Sequence, residues 1–134
     1  MRRALLLCAA LAPAVHSQVI ECPKFYPSTD TALAEVPYQH KGGGFVAKSP
    51  LRNALMYAGE INGKQALVGE PHKVKGGRDL HHGFEPGESK WLVCFYGEDR
   101  TIAWWEQINP KVTSCVVQVR EGRNVPMTVK ATCK

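Results

Sequence analysis

A chain of 134 residues holds one domain with a modest core and is too short for two. Its formal charge of +5 falls to +3 once Arg2 and Arg3 leave with an N-terminal leader. That excess excludes the concentrated basic face on which a nucleic-acid binder depends.

The leader comes first. Met1-Arg2-Arg3 is a basic start, and Ala4-Leu-Leu-Leu-Cys-Ala-Ala-Leu11 is a short apolar run too brief to span a bilayer. Cleavage is expected after Ser17, with Ala14 as the alternative. Leu7 precedes Cys8 where lipoprotein processing needs a small residue, so Cys8 is not a lipidation site. Residues 1–17 therefore read as a signal peptide and 18–134 as a single β-rich domain. The mature chain keeps Cys22, Cys94, Cys115 and Cys133. An even count in a small exported protein means two disulfides, and no pair has the C-x-x-C spacing of a zinc or redox site.

Val19-Ile-Glu-Cys-Pro23 reads as a short first strand or extended lead-in pinned by Cys22. Ser28 to Val36 reads as a turn or short helix that Pro37 stops. Gly42-Gly43-Gly44 lacks the trailing Lys-Ser/Thr of a phosphate loop and reads as a flexible turn. Leu51 to Glu60 and Gln65 to Val68 flank Asn62-Gly63, a strong hairpin signal that places Tyr57 opposite Val68 and Ala58 opposite Leu67. Pro71 to Arg78 is expected to be a polar loop carrying Lys73, Lys75 and Arg78. In Asp79 to Glu85 a strand would put Leu80, His82 and Phe84 on one face. His81 and His82 then point to opposite faces and cannot chelate one metal together.

The centre of the chain is Trp91-Leu-Val-Cys-Phe-Tyr96, a turn at Gly97-Glu-Asp-Arg100, and Thr101-Ile-Ala-Trp-Trp-Glu-Gln107. Aromatic and β-branched residues on both sides of turn residues predict a hairpin. A tip at Glu98-Asp99 would set Trp91 against Glu106, Val93 against Trp104 and Leu92 against Trp105. Both faces of this ribbon are apolar, so one must line a core and the other must be covered or bind something.

Cys115 to Arg120 and Met127 to Cys133 alternate cleanly as two half-buried strands. Facing their inward residues together pairs Val119 with Val129, Val117 with Ala131 and Cys115 with Cys133, with Gly122 to Pro126 as the loop. That register bridges Cys115–Cys133 and leaves Cys22 for Cys94. The alternative is Cys94–Cys115 with Cys22–Cys133.

Cys22-Pro23, a strand ending in Gly59-Glu60, Trp91-Leu-Val-Cys-Phe-Tyr96, a cysteine about twenty residues on and a terminal cysteine make the chain resemble a known family. It is a family of small exported proteobacterial proteins of unknown function. The resemblance implies a periplasmic or secreted β protein with this cysteine framework, and implies no activity.

The expected fold is all-β and mainly antiparallel: a small disulfide-stabilised sandwich or partly open barrel of about six strands. Nucleophile elbow, zinc-binding His-Glu-x-x-His and nucleotide fingerprint are all missing, so neither catalysis nor a metal or other cofactor is expected. The function read from the sequence is a non-catalytic, inhibitor-like binding protein of the cell envelope. Its alternatives are a structural assembly component and, less favoured, a hydrolase. Trp91, Tyr96, Trp104 and Trp105 are the candidate partner-binding residues, because rigid rings give large contact area at small entropic cost. A cell-wall glycan or another envelope protein would suit such a surface.

Overall fold

The computed structural model describes residues 17–29, 31–32, 45–60 and 66–134, with backbone alone at 31, 32, 45 and 46. Twelve strands run through them: β1 (Gln18–Glu21), β2 (Phe25–Tyr26), β3 (Thr31–Ala32), β4 (Phe45–Val46), β5 (Ser49–Ala58), β6 (Ala66–Leu67), β7 (Glu70–Val74), β8 (Gly77–Gly83), β9 (Lys90–Tyr96), β10 (Ile102–Ile108), β11 (Ser114–Gly122) and β12 (Val125–Cys133). No helix occurs among the described residues. One antiparallel sheet has the order β1-β12-β11-β8-β7; the other runs β10-β9-β5-β2, with β6 also on β5. The two sheets pack face to face as an all-β sandwich and do not close into a barrel. Five of the twelve strands have no more than four residues, which is why about six were expected.

The core follows from alternation. Val117 and Val119 on β11, with Val129 and Ala131 on β12, turn inward from the first sheet. Ala54 and Met56 on β5 and Leu92, Cys94 and Tyr96 on β9 turn inward from the second. Cys22–Cys94 ties the segment after β1 to the middle of the second sheet, and Cys115–Cys133 joins adjacent strands of the first. Ser114 and Lys134 exchange both backbone hydrogen bonds, so Cys115 and Cys133 beside them form a non-hydrogen-bonded pair with Cα atoms 4.1 Å apart. Such pairs approach closely enough for a direct cross-strand bridge. Val119↔Val129 and Val117↔Ala131 complete the expected register.

Several expectations are corrected. Pro71 to Arg78 is a hairpin, not a loop: β7 turns into β8 through Lys75-Gly76, with Gly76 at φ 78°. All of β7 is exposed, so it carries no apolar alternation to betray it, and Pro71 is tolerated because β7 is an edge strand. Thr31–Ala32 pairs with Phe45–Val46 as strand, which removes a helical turn at that point. Residues 33–36, Gly42 to Gly44 and Asn62-Gly63 lie outside the described residues. Tyr57 opposes Ala66 and Met56 opposes Leu67, two residues from the expected register. The end of β5 is set by β9 instead, through Ala58↔Lys90 and a bond from Gly59 N to Ser89 O. Between β11 and β12 the loop shrinks to Arg123-Asn124, because a bulge lets Gly122 pair with Val125.

Candidate functional site

The Trp91 ribbon is a hairpin, but its register is shifted by one residue. Trp104 opposes Cys94, Trp105 opposes Val93, Glu106 opposes Leu92 and Gln107 opposes Trp91. Residues 97–101 separate the paired ends, with Gly97 and Arg100 both at positive φ and Arg100 N donating to Gly97 O. A one-residue slip exchanges the faces of a whole strand. Here it turns Ile102, Trp104 and Ile108 inward beside Tyr96, Cys94 and Lys90, and Ile108 is completely buried. Burying Ile108 completely and Ile102 and Trp104 in part favours this register over one that turns Ala103 and Trp105 inward.

The residues singled out by sequence therefore divide. Tyr96 is fully buried, and its hydroxyl donates to Pro23 O at 2.9 Å. Burial pushes its pKa up to about 12, with nearby Tyr26 adding to the shift. Trp104 packs against the core. Neither lies on the face that carries Trp91 and Trp105, and Tyr96 has no surface to offer a partner. Trp91 and Trp105 share the outward face; Trp105 is 51 % exposed. The Trp91 indole N–H donates to Gly59 O at 2.9 Å, which holds the ring against the end of β5. Trp91 faces Gln107 across the ribbon, where Glu106 had been expected.

Pairing of β5, β9 and β10 sets three rows across this outward face. They are Tyr57–Trp91–Gln107, Leu55–Val93–Trp105 and Asn53–Phe95–Ala103. Five of these nine side chains, Tyr57, Leu55, Trp91, Phe95 and Trp105, are large and apolar or aromatic, and none is fully buried. Sequence reasoning missed Tyr57, Leu55 and Phe95. Their signal is the spacing of two in β5 and β9, legible only once those strands are known to be neighbours.

A second feature lies between the sheets. A cavity of about 210 Å³ is lined by Ala54, Met56, Leu67, Gly69, Leu80 and His82, among others. His82 Nε2 is buried with no hydrogen-bond partner, and desolvation lowers the histidine's pKa, with His81 adding to the effect. Beneath the ribbon, Lys90 is wholly buried: its ammonium donates to Pro110 O at 3.0 Å and sits over the Phe84 ring. Desolvation lowers its pKa, and Glu88 works the other way. Among the described residues no cluster of three or more His, Cys, Asp or Glu is arranged to hold a metal ion. No helix among them is long and apolar enough to cross a membrane.

What these features define is a disulfide-braced sandwich that spends one face of its aromatic ribbon on the core and carries Trp91 and the half-exposed Trp105 on the other. Residues 46–134 match the Type VI secretion system Tli immunity protein family, and the chain belongs to that family. The match covers β5 to β12, and so the five strands β5, β9, β10, β11 and β12 that carry the aromatic rows and the inward valines of the first sheet. No curated protein and no solved structure matches the chain.

Proposed function

We propose that this protein is an inhibitor-like immunity protein that binds a type VI secretion effector and neutralises it, using the outward face of the second sheet. Family membership supports a partner protein and a non-catalytic role. The observation that carries the site is the pair Trp91 and Trp105, which flank the buried Val93 on the outward face, with Trp105 51 % exposed. Partly exposed tryptophans are among the side chains that dominate protein interfaces. A glycan would be gripped by convergent polar groups; beside Asn53 and Gln107 these rows add only the Tyr57 hydroxyl and the Trp105 indole N–H, so a protein surface is the better complement.

Residues 1–17 act as an export leader in this reading, and 18–134 are the working domain. The bridges Cys22–Cys94 and Cys115–Cys133 suit an oxidising periplasm, where an incoming effector would be met.

The test is neutralisation. Each type VI effector of the source bacterium is directed to the periplasm of a sensitive host, with and without this protein. One effector's toxicity should be relieved by the full chain and not by a chain lacking residues 1–17. Trp105→Ala should weaken the relief. If no effector is neutralised or bound, the reading fails.

A further inference from the structure

In an antiparallel strand the N–H and C=O of one residue point to the same side, and successive residues alternate. Gly97 N donates to Pro50 O and Gly59 N to Ser89 O, so the odd-numbered residues of β9 bond β5. The even-numbered ones bond β10, through Ile102, Trp104, Glu106 and Ile108. The backbone groups of Ala103, Trp105 and Gln107 therefore point away from the sheet. Gln18 bears this out at one end. Its amide donates from Nε2 to Gln107 O at 3.1 Å and accepts at Oε1 from Asn109 N at 2.8 Å. One side chain thus occupies a rung as an added strand would. Among the described residues, the outward backbone groups of Ala103 and Trp105 have no partner.

The far edge of the other sheet is built differently. Phe84 N donates to Thr113 O and Glu121 N to Gly76 O, which turns the odd-numbered residues of β8 toward β7. Their partners Glu70, His72 and Val74 face back, leaving Pro71 and Lys73 outward. Proline offers no donor and lysine repels a close neighbour, the usual means of blunting an edge. β10 carries neither.

Resting on the immunity reading, we infer that the free edge of β10 at Ala103 and Trp105 receives an extended segment of the effector, which adds as a strand beside the aromatic face. A second copy of this chain is the weaker occupant. Two residues of edge fall far short of the roughly 1,200 Å² that a stable interface buries. Edge-paired copies also lie side by side, so their aromatic faces could not meet. A foreign chain can add its strand and fold over Trp91 and Trp105 together, the face supplying area and the edge supplying register.

The probe is the effector neutralised in the assay above. Ala103→Pro removes an outward N–H and blocks the edge without touching the bonds to β9; Lys73→Pro does the same on β7. Ala103→Pro should fold with a near-native thermal midpoint and weaken binding by at least about tenfold, while Lys73→Pro binds normally. In the wild-type protein the amides of Ala103 and Trp105 should exchange fast when free and become protected in the complex. This measurement decides if Ala103→Pro does not fold. Normal binding by folded Ala103→Pro, or no protection in the complex, overturns the edge while the immunity reading stands. A free dimer that protects these amides assigns the edge to a second copy and overturns it equally. Failure to find a neutralised effector removes both.

Discussion

The hydroxyl of Tyr96 reaches 2.9 Å to the carbonyl oxygen of Pro23, tying the middle of the second sheet to the residue after Cys22. Hydrogen bond and Cys22–Cys94 bridge thus anchor the same short segment to the same strand. Tyr96→Phe leaves a carbonyl without its donor in a buried setting and should cost about 1–2 kcal/mol in chemical denaturation. Effector affinity should stay at the wild-type level, since Tyr96 is fully buried.

The two neighbouring tryptophans should behave oppositely. Trp104→Ala removes a ring packed on the core and should destabilise by about 2–4 kcal/mol. Trp105 is 51 % exposed, so Trp105→Ala should change stability by less than about 1 kcal/mol and reduce binding instead. Denaturation and calorimetric titration on both variants check the division. Equal destabilisation would mean that Trp105 is a core residue.

Removing the disulfides singly should rank them. Cys22–Cys94 spans 72 residues and Cys115–Cys133 spans 18. Loop-closure entropy values them at about 4 and about 3 kcal/mol respectively in the denatured state. Cys22→Ala with Cys94→Ala should therefore lower the denaturation free energy more than the other double change. Peptide mapping without reduction should recover Cys94 linked to Cys22, never to Cys115.

Acid should weaken the fold through His82. Desolvation lowers its pKa below the ordinary 6.5, with His81 adding to the shift, so the unfolded chain takes up a proton that the folded chain refuses. Its contribution is present in full above about pH 6.5 and is lost as pH falls through the lowered folded value. His82→Phe should flatten the fall in thermal midpoint below pH 6.5. An unchanged slope would place the acid sensitivity elsewhere.

Local chemistry made much of the fold legible. Cys115, Val117 and Val119 alternate with polar residues, as do Val129, Ala131 and Cys133. Parity then leaves few registers, and the one that pairs the two cysteines is the one found. The site was legible only in part. Trp91 and Trp105 were named beside Tyr96 and Trp104, yet the last two belong to the inward face. β7 was invisible because Glu-Pro-His-Lys-Val buries nothing and so shows no period.

By itself the sequence determined an all-β chain, a tryptophan-rich hairpin apolar on both faces, and cysteines spaced to brace it. Tertiary structure alone decided which face of that hairpin turned inward. With apolar residues on either side, hydrophobic pattern cannot detect a slip of one residue; the five-residue turn and the burial of Ile108 settle it. It also decided the state of the β10 edge, where Gln18 reaches across 89 positions of sequence to cap Gln107 and where, among the described residues, the outward backbone groups of Ala103 and Trp105 have no partner. A backbone edge has no sequence signature, because whether an N–H is free depends on what the rest of the chain places beside it.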